Sequence, residues 1–127
     1  MMRGMHRAGI LTCAKHFPGH GETIKDSHFD LPLVNFEKHR IDSIEIYPYK
    51  KLIPQGISSI MVGHLNYPAL DEGIPSSLSK KIVDGLLIKK LGFKGLVITD
   101  ALEMKGVSKF KKYNYLACIF QSHLYLF

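Results

Sequence analysis

The chain has 127 residues, of which 46% are hydrophobic and 22% charged, a composition that fits a globular domain and excludes disordered and fibrous classes. Its 17 Lys+Arg outnumber 11 Asp+Glu and give a formal net charge of +6, but these basic residues are spread along the chain, so we expect no nucleic-acid partner. No apolar run reaches the roughly 18 residues of a membrane span, and the start "MMRGMHRAG" lacks the apolar centre of a signal peptide, so we expect no membrane segment. Localisation stays open.

Three continuous apolar runs predict buried parallel strands at residues 9–14, 57–62 and 95–99. Between the first two, "RIDSIEIYPYKKLIPQG" has helical spacing that Pro48 should split or kink. Between the last two, Ser79 can cap a helix that Gly92 ends, with an apolar stripe of Ile82, Val83, Leu86, Leu87 and Leu91. Cys13 and Cys118 are far apart in the chain, and we expect two reduced thiols rather than a disulfide.

Strand, helix and strand in this order build either an open doubly wound sheet or a closed barrel. No GxGxxG or P-loop pattern is present, which weakens the nucleotide-binding version. The sequence therefore predicts an α/β fold, and specifically about half of a TIM (β/α)8 barrel, because the whole barrel needs roughly 250 residues.

Ionisable side chains follow the predicted strands, where the chemistry of both architectures gathers. The stretch "KHFPGHGETIKDSH" (15–28) holds three histidines, two glycines and two acids, and "GHLNYP" and "TDALEM" follow the other strands. Glycines 19 and 21 allow the backbone turns that a crowded strand end requires.

These residues leave two chemical interpretations open. A metal-dependent hydrolase could use zinc or iron, because histidine and carboxylate ligands suit both metals; the available ligands are His16, His20, Asp26, His28 and His64. No HExxH or comparable spacing supports it. The other interpretation is acid–base and nucleophilic catalysis by the same loop together with Asp100.

Three motifs, in this order, resemble one known family: "AKHFPGHGETIKDSHFDLP", "SSIMVGHLNYPALDEGIPSSLS" and "LGFKGLVITDALEMKGV". They are similar to the second half of the catalytic barrel of glycoside hydrolase family 3, in its bacterial β-N-acetylglucosaminidase (β-hexosaminidase) branch. The resemblance runs from about residue 8 to about residue 110. It implies a retaining O-glycosyl hydrolase that removes terminal β-linked N-acetylglucosamine from an oligosaccharide or muropeptide, with no cofactor and no metal.

The resemblance also implies residue roles. Asp100 would attack the anomeric carbon, and His28, oriented by Asp26, would protonate the leaving oxygen and later deprotonate water. Read alone, Asp26 could cap a turn, His28 could be a surface histidine and Asp100 could cap a helix. Lys15 and His16 are expected to contact the sugar. His64 is a substrate contact or, equally, part of the loop scaffold.

The resemblance further implies a division of the chain. Residues 1–110 are expected to be the C-terminal half of the family 3 catalytic barrel, and residues 111–127 a divergent or truncated tail. Because the family's earlier strands carry further sugar-binding residues, we expect a fragment that is inactive by itself.

Overall fold

The computed structural model of the chain describes residues 1–21, 23, 31–102, 104 and 107. Their centre is a parallel sheet of three strands, in the order β1 (Cys13–Phe17), β2 (Ser59–Val62) and β3 (Leu96–Thr99). Sheet order follows chain order, as expected when consecutive strands are joined by helical crossovers. The α/β class predicted from the sequence is therefore confirmed.

Helices connect the strands of this sheet. Helix α1 (Met2–Arg7) precedes β1, and α2 (Lys38–Ser43) and α3 (Tyr47–Leu52) lead to β2 through a 3₁₀ turn at Ile53–Gln55. After β2 come α4 (Pro68–Asp71), a second 3₁₀ turn at Ser76–Leu78, and α5 (Lys81–Lys90), a ten-residue helix of the π type.

The predicted helix positions agree with these elements. The region around Pro48 is split, as expected, and the proline stands in the first turn of α3, where its missing N–H costs no hydrogen bond. The Ser79 hydroxyl accepts a hydrogen bond from the Ile82 amide at 3.1 Å, which satisfies a free donor at the start of α5. Gly92 has φ 70°, the left-handed conformation that glycine adopts when it ends a helix.

The hydrophobic core lies between one face of the sheet and the helices. The Phe17 ring packs edge-on against Tyr49 of α3, with 4.9 Å between centroids. Ile60 and Val62 of β2 belong to the same buried cluster as Leu87 of α5. Burial of these side chains against the helices stabilises the strand order.

The second face of the sheet is more open than the apolar runs predicted. Burial alternates along β2, where Ile60 and Val62 are buried but Ser59 and Met61 only partly so. Leu96, in register with Ser59, is 48% exposed. The prediction of buried strands was therefore wrong for this face of the described sheet, because the described helices supply a core for the other face only.

The first strand also begins later than predicted. Residues 9–14 were expected to form it, but β1 starts at Cys13, which is the residue in register with the first residue of β2. Ile10 and Leu11 are 51% and 82% exposed. The other two strands agree with prediction to within two residues. Cys13 is a free, exposed thiol, as expected, and Cys118 lies outside the described residues.

Within the described part of the chain, the helices are too short and too polar to span a bilayer.

Candidate active site

The carboxyl ends of the three strands lie side by side and carry the polar residues singled out in the sequence. The Gly63 amide donates to the Phe17 carbonyl and the Asp100 amide to the Val62 carbonyl, both at 3.0 Å. These bonds continue the sheet one residue past the ends of β2 and β3. They fix the residues that follow all three strands relative to one another.

His16 and Asp100 meet across the end of β2. The Nε2 atom of His16 lies 3.7 Å from Oδ2 of Asp100, and each side chain is 27% exposed. A Cβ on Gly63 would approach the His16 Cβ to 3.1 Å, tighter than ordinary van der Waals contact. The glycine at the end of β2 therefore provides the space in which residues of the two outer strands approach each other.

The Asp100 carboxylate is oriented by its own backbone. Its Oδ1 accepts a hydrogen bond from the Ala101 amide at 2.9 Å, while Oδ2 faces His16 at a distance beyond hydrogen bonding. A carboxylate held at one oxygen and partly open at the other can accept a proton, pair with a cation or attack an electrophile.

The local environment keeps His16 neutral. Burial is the largest influence and lowers its pKa below the ordinary 6.5; Asp100 opposes this, and Lys15 and His20 lower the pKa further. An uncharged imidazole at neutral pH can donate one hydrogen bond and accept another. Such a ring can bind a hydroxyl group either as donor or as acceptor.

The turn after β1 is held by contacts of Gly19 with Tyr67 and Glu45. The Tyr67 hydroxyl donates to the Gly19 carbonyl at 2.5 Å, and burial raises the pKa of this phenol, so it remains a donor. A Cβ on Gly19 would lie 2.7 Å from the Glu45 Cβ, so only glycine fits. Gly19 thus has a packing role, whereas the predicted need for a special backbone turn is not observed, because neither Gly19 nor Gly21 has a positive φ. Gly21 has no atom within 4 Å of such a Cβ.

His20 and Lys15 lie near His16. The His20 ring stands edge-on to that of His16, with 5.8 Å between centroids, and its Nδ1 lies 2.7 Å from the Thr23 hydroxyl. Lys15 is exposed, next to His16 in β1. Three polar side chains of the "KHFPGHG" stretch, those of Lys15, His16 and His20, are thus accessible around the strand end.

His64 is placed differently. It is 1% exposed, and both ring nitrogens have protein partners: Nδ1 lies 2.6 Å from the Ser77 hydroxyl and Nε2 2.9 Å from the Ala101 carbonyl. Of its two predicted roles, this environment favours the loop scaffold. A sugar contact at His64 stays a prediction.

Asp26 and His28, the predicted acid–base pair, lie outside the described residues. Among the residues the structure does describe, no group of three or more His, Cys, Asp or Glu side chains could hold a metal ion. Two of the five metal ligands considered from the sequence, Asp26 and His28, lie outside the described residues.

One family model matches residues 1–118: the Glycosyl hydrolase family 3 N terminal domain. The chain belongs to glycosyl hydrolase family 3. Its resemblance to this family, drawn from three motifs, is confirmed.

Curated relatives within the family are similar over most of this chain. Over 104 residues it is 42% identical to a β-hexosaminidase of Actinobacillus succinogenes. The matched region covers 81% of this chain and 30% of the relative. Over 123 residues it is 37% identical to β-hexosaminidase A of Pseudoalteromonas piscicida, with 86% and 20% covered. The chain thus spans about a fifth to a third of these relatives.

A solved structure agrees. The family 3 β-N-acetylglucosaminidase of Paenibacillus sp. str. FPU-7 superposes with a TM-score of 0.83 at 43% identity, covering 86% of this chain and 21% of that one. The likeness therefore extends from sequence motifs to the arrangement of the backbone.

Sequence reasoning missed two partners in this family 3 domain. Ser77 is fully buried and bonds His64, and Tyr67 bonds the turn at Gly19. The available signal was the polar run "SSLS", whose Ser76, Ser77 and Ser79 are all buried. Buried hydroxyls need partners, so such a run predicts an internal hydrogen-bond network.

Proposed function

We propose that this chain forms part of a (β/α)8 barrel that hydrolyses terminal β-linked N-acetylglucosamine with retention of configuration. The observation that carries the proposal is the meeting of His16 and Asp100 above Gly63. It gathers a partly exposed carboxylate and a neutral imidazole at the carboxyl ends of parallel strands, where barrel enzymes build their sites.

Two further observations support a barrel. The strands are parallel and in chain order, and the face that carries Leu96 is incompletely covered by the described residues. Additional strands that closed the sheet would cover that face with side chains from the opposite wall. The likeness to the Paenibacillus enzyme adds to this support.

In the proposed reaction, Oδ2 of Asp100 attacks the anomeric carbon. The bond from that carbon to the leaving oxygen breaks, and His28 gives the leaving oxygen a proton, which yields a glycosyl ester on Asp100. His28 then takes a proton from water, which attacks the same carbon from the face that the leaving group vacated; the ester bond to Oδ2 breaks, and the sugar is released with Asp100 again a carboxylate. Two inversions leave the configuration unchanged.

Each remaining residue has a proposed part. Asp26 would hold the His28 ring in one tautomer and stabilise its protonated form. Lys15 and His16 would bind ring hydroxyls of the N-acetylglucosamine unit beside Asp100. The substrates would be oligosaccharides or muropeptides ending in this sugar.

Activity is best measured in a hybrid enzyme, because the chain spans 30% of its A. succinogenes relative. The hybrid is that β-hexosaminidase with its 104 matched residues replaced by those of this chain. Asp100→Ala should lower kcat by several orders of magnitude with little change in thermal stability, because it removes the attacking group and no core packing. Glu72→Gln, which neutralises an exposed carboxylate, should leave kcat unchanged.

An Asp100→Ala hybrid with near-normal activity would contradict the nucleophile assignment. Loss of activity on treatment of the unmodified hybrid with a chelator would instead favour the metal-dependent hydrolase.

A further inference from the structure

One buried histidine at the strand ends, His64, is used by no step of this reaction. His64 is 1% exposed, follows β2 by two residues, and bridges two other segments. Those segments are the 3₁₀ turn containing Ser77 and the residue that follows Asp100. A buried polar ring with both nitrogens satisfied holds the segments it joins in one arrangement.

The partners determine where the ring proton lies. The Ala101 carbonyl can only accept, so Nε2 must carry the hydrogen of the 2.9 Å bond. In the neutral ring Nδ1 then has a lone pair, which accepts the Ser77 hydroxyl proton at 2.6 Å. The hydrogen bonds thus run in one direction: Ser77 donates to His64, and His64 donates to the Ala101 carbonyl.

This series of hydrogen bonds ends next to Asp100, the proposed nucleophile. The Ala101 amide donates to Oδ1 of Asp100, and the Asp100 amide donates to the Val62 carbonyl. With the Ala101 carbonyl held by His64, the backbone on both sides of the Asp100 side chain is tied to the end of β2. Oδ1 of the carboxylate is therefore fixed by the Ala101 amide, and Oδ2 faces His16.

We propose that His64 is a positioning residue: in its Nε2–H tautomer, set by Ser77, it holds the Ala101 carbonyl and thereby aims Oδ2 of Asp100 into the site. Its importance for catalysis rests on the proposed function, whereas its importance for the geometry of Asp100 does not.

The geometry is tested in the 127-residue chain itself. Long-range ¹H–¹⁵N correlation spectra should show the His64 ring with Nε2 protonated and Nδ1 unprotonated. A ring with the proton on Nδ1 would overturn the proposal, because the Ala101 carbonyl would then have no donor.

Two substitutions separate positioning from packing. His64→Phe keeps a ring of similar size and loses both hydrogen bonds, whereas the amide of His64→Gln can still donate to the Ala101 carbonyl. Positioning predicts that His64→Phe speeds hydrogen exchange at the Asp100 and Ala101 amides by roughly tenfold, the value of one hydrogen bond, and that His64→Gln stays near the parent. A packing role alone predicts the opposite order, and that order would overturn the proposal.

Ser77→Ala provides a variant that keeps the His64 ring in place. It should weaken the preference for the Nε2–H tautomer, with a smaller change at the Asp100 amide than His64→Phe gives. A ring signature unchanged by Ser77→Ala would contradict the role of Ser77.

The catalytic consequence is measured in the hybrid enzyme. His64→Phe should lower kcat while KM changes little, because the proposed sugar contacts Lys15 and His16 remain, and His64→Gln should recover most of the loss. A raised KM with kcat unchanged would instead mean that His64 supports binding. If Asp100→Ala leaves the hybrid active, the proposed function fails, while the tautomer and exchange results still decide the geometry.

Discussion

The ends of β1 and β2 both carry histidines, but they use them in different ways. In β1, one residue before the strand ends, His16 is partly exposed and faces Asp100 at a distance longer than a hydrogen bond. After β2, His64 is buried and bonded through both nitrogens. A histidine at a strand end is therefore not by itself a substrate contact. Its accessibility makes His16 available to a ligand. His64 is buried, and its hydrogen bonds hold the backbone beside Asp100 instead.

Of the substitutions that follow, His28→Ala is expected to have the largest effect. In the hybrid enzyme, His28→Ala should slow hydrolysis of natural oligosaccharides by roughly 10²–10⁴-fold, the usual contribution of general acid–base catalysis. Aryl glycosides with good leaving groups should be much less affected in glycosyl transfer to the enzyme, because their leaving oxygen needs little protonation. Steady-state and burst-phase rates on both substrates provide the measurement.

Asp26→Asn should give a milder version of the same pattern. Equal losses on natural and aryl substrates would mean that His28 serves binding or structure.

Loss of the hydrogen bond between Tyr67, which follows β2, and the turn at Gly19 is expected to lower the stability of the fold. Tyr67→Phe removes the hydrogen bond to the Gly19 carbonyl and nothing else of the ring, so it should lower the free energy of unfolding by about 0.5–1.5 kcal/mol. Denaturant unfolding of the 127-residue chain measures this. Tyr47→Phe is the matched control, because Tyr47 is 53% exposed, and it should change stability by less. Equal effects of the two substitutions would show that the Tyr67 hydroxyl does not tie the loop to the frame.

The smallest effect concerns pH. Burial lowers the pKa of His16 below 6.5 in the folded chain, so the neutral ring contributes stability that is present above pH 6.5 and is lost as the pH falls through the lowered folded value. His16→Gln should therefore show a weaker loss of stability on acidification than the parent. Because Asp100 opposes the shift, Asp100→Asn should lower the His16 pKa further, as measured by NMR titration. A rise in that pKa would contradict the electrostatic contact between the two strand ends.

Much of this arrangement could be predicted from the sequence. The α/β class, the split at Pro48 and the cap at Ser79 follow from local patterns that depend on neighbouring residues. Asp100 was identified because a carboxylate directly after a continuous apolar run marks the end of a buried strand. The three motifs predicted the family.

The remainder depends on contacts between distant parts of the chain. The partners of His64 are 13 and 37 residues away, and no local pattern indicates that its two nitrogens are both engaged. The start of β1 was misjudged because strand pairing, not hydrophobicity, determines where the ladder begins. The meeting of His16 with Asp100 requires the sheet order and the space above Gly63, neither of which periodicity determines.

Covalent trapping tests most directly whether Asp100 is the nucleophile. The hybrid enzyme is treated with an activated 2-fluoro or 5-fluoro glycoside, which slows breakdown of the glycosyl-enzyme, and is then digested and analysed by mass spectrometry. We predict one added sugar mass on the peptide containing "ITDALEM", located at Asp100. A label on any other residue, or steady turnover of β-N-acetylglucosaminides with no labelled peptide, would contradict the account.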